Sequence, residues 1–89
     1  MAHYNIRVIG KVQGVFYRAS AAKRAEALKI KGFVRNESNG DVYIEAEADR
    51  ETLEEFVKWC YDGPEHAKVE KVMVIDGAEE GFDTFEIRR

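Results

Sequence analysis

Cysteine, proline and histidine are nearly absent from this chain: one Cys, one Pro and two His in 89 residues. A lone Cys60 excludes an internal disulfide and any multi-cysteine metal centre, and it points to a reducing compartment. His3 and His66 stand far apart with no third ligand at metal spacing, so both read as surface residues and no metal is expected. No stretch approaches the roughly 20 apolar residues of a membrane helix, and the N-terminus shows no basic-then-apolar signal pattern, which makes a cytoplasmic protein with no membrane contact the expectation. Asn36-Glu37-Ser38 fits a glycosylation sequon, but without a secretory signal that match is chance. An excess of positive charge is also missing. Fourteen basic against seventeen acidic residues give a net charge of -3, so the molecule as a whole does not attract polyanions and any phosphate must be captured locally.

What remains is 45% apolar and 35% charged, the make-up of a single well-solvated domain over residues 1–89 with one core. Tyr4 to Gly10 alternates as a strand with Tyr4, Ile6 and Val8 on one side. From Phe16 to Lys31, Ala22, Ala25 and Leu28 recur at helical spacing, and Gly32 falls where a helix terminator belongs. Phe33–Glu37 and Asp41–Ala48 flank Ser38-Asn39-Gly40, which is hairpin turn chemistry. Asp49 caps a second helix with Leu53, Phe56, Val57 and Cys60 on one stripe, and Gly63-Pro64 ends it. Lys68–Asp76 and Asp83–Arg88 complete the strands. The order predicts an α+β, ferredoxin-like βαββαβ sandwich: two helices on one face of an antiparallel sheet, with a short extra C-terminal strand.

Chemistry concentrates between the first strand and the first helix, in Gly10-Lys11-Val12-Gln13-Gly14-Val15-Phe16-Tyr17-Arg18. A turn entering a helix can form a nest of N–H donors at the positive end of the helix dipole, and an arginine there adds a fork that matches two phosphate oxygens. On spacing alone, an ordinary loop explains two glycines four apart at least as well. Distance along the chain supplies a second constraint. The first helix spans roughly 20 Å at about 1.5 Å per residue. The strand Lys31–Asn36 returns a similar distance at about 3.3 Å per residue. Asn36 is therefore expected at the same sheet edge as the Gln13–Arg18 loop, where an amide can hold water as donor and acceptor. Taken by itself, Asn36 is equally a turn residue ahead of Ser38-Asn39-Gly40.

At these residues the chain resembles the acylphosphatases. One family signature is met by Gly10, Val12, Gln13, Gly14, Val15, Tyr17 and Arg18, and a second by Gly32, Phe33, Val34, Asn36, Gly40 and Val42. Cys60, Gly63, Pro64, Ala67, Val69, Val72 and the run Phe85–Arg88 follow the family pattern as well; Ala48 departs from it, standing where a glycine is usual. The resemblance implies hydrolysis of a small acyl phosphate. Arg18 would grip the phosphoryl group, Asn36 would orient water, and Gln13, Gly14, Val15, Phe16, Tyr17 and Arg18 would form the phosphate cradle. It implies no metal and no organic cofactor; a monomer is expected.

Two other readings compete. RNA-recognition modules share the βαββαβ plan, but Asp41, Tyr43, Glu45 and Glu47 form the expected exposed row of the third strand and would repel a phosphate backbone, so no nucleic acid is expected. A non-catalytic phosphate-binding regulatory module would keep the cradle and turn nothing over.

Overall fold

The computed structural model describes residues 1–89. Its elements are β1 (Ala2–Lys11), α1 (Tyr17–Ala27), β2 (Lys31–Asn36), β3 (Val42–Ala48), α2 (Arg50–Asp62), β4 (Lys68–Asp76) and β5 (Phe85–Arg88). The strands form one sheet in the order β4-β1-β3-β2-β5.

The sheet is mixed, whereas an antiparallel one was expected: β5 runs parallel to β2, with Gly32 opposite Phe85 and Arg35 opposite Arg88. The reason is where the chain enters. β4 ends with Asp76 beside Tyr4, the same end of the sheet at which β2 begins. A strand that crosses to the far edge from there has to run alongside β2 in the same direction. β5 consequently delivers the C-terminus to the end of the sheet where β1 and β2 finish.

Alternation sorts the side chains as expected on the helical face. Tyr4, Ile6, Val8, Val34, Val42, Ile44 and Ala46 meet Tyr17, Ala21, Ala25, Leu53, Phe56 and Cys60 in one buried core. Each large apolar side chain buried there is worth about 1.5–3 kcal/mol. α2 starts on Asp49, whose Oδ1 accepts from the Thr52 N–H at 2.8 Å, and stops at Gly63. Burial pushes the Cys60 thiol up to about 12, the condition of a core residue rather than a nucleophile.

α1 ends earlier than expected, and not at Gly32. Lys29 takes a left-handed conformation (φ 61°), its N–H donates to the Glu26 carbonyl, and the Ile30 N–H donates to the Ala25 carbonyl at 2.8 Å. This pair of bonds closes a helix end with Lys29 in the position usually held by glycine. Gly32 serves β2 instead. A Cβ there would lie 1.9 Å from the Glu45 carbonyl oxygen, so the close approach of β2 and β3 requires its absence.

The second face of the sheet corrects two further expectations. His3 is not a surface residue but 4% exposed, and Glu47 of the supposedly exposed row is 1% exposed. Alternation put both on this face correctly, but residues 77–84 cross over it on the way from β4 to β5. Phe82 stacks on His3 and meets Phe33 edge-on, which leaves the far half of the face covered.

Candidate active site

Three elements converge where β1, β2 and β5 end. The loop after β1 supplies a backbone that turns twice through left-handed geometry, at Gly14 (φ 73°) and at Phe16 (φ 63°, ψ 23°), the residue immediately before α1. For a non-glycine residue the second of these costs about 1–2 kcal/mol. Strain of this kind persists where the surroundings enforce it. Its consequence is visible in the donors: no backbone N–H from residue 14 to residue 19 has an acceptor within the protein. The first turn of α1 also carries no acidic residue that would neutralise the helix dipole. An array of unpaired N–H groups at a helix N-terminus is an anion site.

Arg18 stands on the first turn of α1, half-buried. Its Nη1 donates to the Arg88 carbonyl at 3.1 Å, so β5 sets the direction of the guanidinium while the rest of the fork stays free. Asn36, the last residue of β2, comes to the same cleft although it lies eighteen positions along the chain from Arg18. Its carboxamide joins none of the protein's side-chain hydrogen bonds. The cleft has a volume of about 290 Å³, with Gly14, Phe16, Arg18 and Asn36 around it and Val12, Tyr17, Ala19 and Ile87 as its apolar walls.

Gln13 and Val15 do not line this cleft. The Gln13 side chain donates to the Glu37 and Asp41 carbonyls at 2.8 and 2.9 Å, clamping the β2–β3 hairpin to the loop and so fixing Asn36 relative to Arg18. The Tyr17 hydroxyl points into the core and donates to the Cys60 carbonyl at 2.7 Å, and burial pushes its phenol far up. The Phe16 ring, 79% exposed, stands at the mouth. No histidine, carboxylate or thiol lines the cleft.

Sequence reasoning missed the contribution of β5. Ile87 walls the cleft, the Arg88 carbonyl orients Arg18, and Arg89 lines a hollow shared with Arg18 and Asn36. Nothing local in Phe85–Arg88 signals this, because it depends on β5 running parallel to β2.

A small α+β sandwich with an anion cradle at a strand–helix junction is the class of protein that these features define. Comparison with known proteins makes the class specific. The model of the Acylphosphatase family matches residues 4–87. An acylphosphatase of Nocardioides sp. is 43% identical over 84 residues, covering 94% of this chain and 85% of its own. The crystal structure of acylphosphatase from Bacillus subtilis superposes with a TM-score of 0.97 at 34% identity, each chain covered to 100%. The structure of an acylphosphatase from Coxiella burnetii does so with a TM-score of 0.95 at 37% identity, over 98% of this chain and 92% of the other. The chain belongs to the acylphosphatase family, and it hydrolyses acyl phosphates.

Proposed function

We propose that Arg18 and the backbone N–H groups of about Val15 through Arg18 hold the phosphoryl group, and that Asn36 orients the water that attacks it. Within the cradle Gln13–Arg18, the Gln13 side chain acts through the hairpin it clamps. The observation that carries this reading is the cleft itself, lined by Gly14, Phe16, Tyr17, Arg18 and Ala19 with their unpaired N–H groups, by a guanidinium with most of its fork free and by the unpaired Asn36 carboxamide.

The chemistry demands little more. The oxygen of water forms a bond to phosphorus while the bond from phosphorus to the acyl oxygen breaks, and the water's proton passes to the phosphate product. The leaving group is a carboxylate whose conjugate acid has a pKa near that of a glutamate side chain, about 4.3, so it departs at neutral pH without a general acid. Charge spread over the phosphoryl oxygens has to be met and water placed in line, and both are positioning tasks. A cleft without histidine or carboxylate therefore suffices for this substrate, though it would not for a phosphate ester with a poor leaving group.

On the same grounds the hydrolysis needs no metal or organic cofactor at Arg18. The reading also takes the enzyme to be a cytoplasmic monomer that binds no nucleic acid, consistent with a lone buried cysteine and a net charge of -3.

The test is the ultraviolet absorbance of benzoyl phosphate at neutral pH with a chelator present. Rapid loss of absorbance that inorganic phosphate inhibits is expected. A rate equal to that in buffer, with phosphate still bound, would leave only the phosphate-binding module.

A further inference from the structure

Of the five phenylalanines, Phe33, Phe56, Phe82 and Phe85 each pack against another aromatic ring. The Phe16 ring meets none, lies outside the core and is 79% exposed. Its backbone gives no reason for a phenylalanine either. The left-handed geometry before α1 (φ 63°, ψ 23°) is one that glycine or asparagine adopts at lower cost. Position 16 is also the N-cap of α1, where a side-chain oxygen would accept a helix N–H, and the ring makes no such bond. Conformation, capping and solvation all favour a small polar residue here, so the ring serves something outside the fold.

Its place in the cleft indicates what that is. Phe16 lines the cleft together with Arg18 and Asn36. The neighbouring hollow shares Arg18, Asn36 and Ile87 with the cleft and adds Arg89, and Phe16 takes no part in it. Asn36 thus borders both spaces, while Phe16 borders the cleft alone, on the side away from Arg89. In-line displacement sets the attacking water and the leaving group on opposite sides of phosphorus. With water on Asn36, a reading on which this inference rests, the acyl group departs on the side of Phe16. Arg18 is the one charged side chain lining the cleft, and it is engaged with the phosphoryl group, so nothing else there recognises a charge on the acyl part.

We propose that the Phe16 ring is the acyl-recognition surface of the enzyme, stacking on the acyl group and selecting aromatic acyl phosphates over short-chain ones. Contact between two rings contributes beyond the apolar area it removes from water, and an acetyl group cannot make it. The backbone of residue 16 serves the phosphoryl group; its side chain serves the acyl group.

The experiment measures kcat/KM for benzoyl and acetyl phosphate in wild type, Phe16→Asn and Phe16→Tyr, trapping the remaining acyl phosphate with hydroxylamine. Comparing the benzoyl-to-acetyl ratio between variants cancels the intrinsic reactivity of the two anhydrides and any change in the cradle, which meets the phosphoryl group common to both. The ratio should fall about three- to tenfold in Phe16→Asn and stay within about twofold of wild type in Phe16→Tyr, which keeps the ring. The melting temperature of Phe16→Asn should equal or exceed that of wild type, because asparagine suits the left-handed backbone. A ratio unmoved in Phe16→Asn, or lost equally in Phe16→Tyr, would overturn the proposal and leave the roles of Arg18 and Asn36 standing. A clearly lower melting temperature in Phe16→Asn would give the ring a place in the fold and overturn it too. Those roles fail separately, by wild-type turnover of both substrates in Asn36→Ala, which would remove the direction of departure and this proposal with it.

Discussion

At one end of β1 the N–H groups of residues 14–19 and the Asn36 carboxamide have no acceptor or donor within the protein, while at the other the Glu47 carboxylate takes three backbone N–H groups and a histidine. Both ends are built from the same strands and packed on the same core. The difference lies in who completes the hydrogen bonds. At the far end the protein completes its own, which ties residues 77–84 to the sheet and makes those polar groups part of the fold. At the cleft the protein leaves donors open and holds them in place with strained backbone at Phe16, the Gln13 clamp and the Arg88 carbonyl. Polar groups left incomplete but rigidly held are what a positioning enzyme requires.

Substitutions at the two ends should accordingly fail in different assays. The largest effect is expected from Arg18→Ala, which removes the charge proposed to hold the phosphoryl group. Turnover of benzoyl phosphate should fall by at least about 10²–10³-fold, while the melting temperature barely moves, since the one bond lost is an exposed one to Arg88. Glu47→Ala should do the reverse. It strands His3 and three N–H groups in a covered site, and urea unfolding should show a loss of roughly 3–5 kcal/mol, with the rate per folded molecule unchanged.

Acid should separate the ends as well. Burial raises the Glu47 carboxyl, but the N–H groups of Glu80, Phe82 and Gly81 together with His3 outweigh that and hold it below the ordinary carboxylate value of 4.5. A carboxylate depressed in the folded state stabilises the protein above its unfolded value, and that stabilisation is lost as pH falls through the folded one. The stabilisation from Glu47 should therefore be fully present above about pH 4.5 and fall away below it, read as a drop in the urea midpoint that is shallower in Glu47→Gln. The smallest effect belongs to neither end. Lys29→Gly relieves a left-handed lysine at the close of α1 and should add about 0.5–1 kcal/mol of stability, leaving the rate alone.

How far these features are legible in the sequence depends on whether they are local. The Asn39-Gly40 turn, the Asp49 cap, the alternation of Tyr4, Ile6 and Val8 and the stripe of α2 follow from neighbouring residues, and each is found in the structure. The meeting of Arg18 and Asn36 follows from helix and strand lengths. The buried state of His3 and Glu47 does not, because period-2 alternation assigns a side chain to a face without saying what crosses that face. Nor does local pattern disclose that β5 runs parallel to β2, and with that the roles of Ile87 and Arg88 were hidden. Lys29 escaped because glycine is the usual sign of a helix end and Gly32 stood three residues away.

The central claim is that an amide left unpaired at the end of β2 orients the attacking water, and Asn36→Ala tests it most directly. Turnover of benzoyl phosphate and the inhibition constant of inorganic phosphate should be measured on the same preparation. Turnover lower by about 10²–10³-fold with phosphate inhibition unchanged is the expected result, because the cradle and Arg18 remain. Turnover at the wild-type level, or a loss of phosphate affinity that matches the loss of rate, would contradict it.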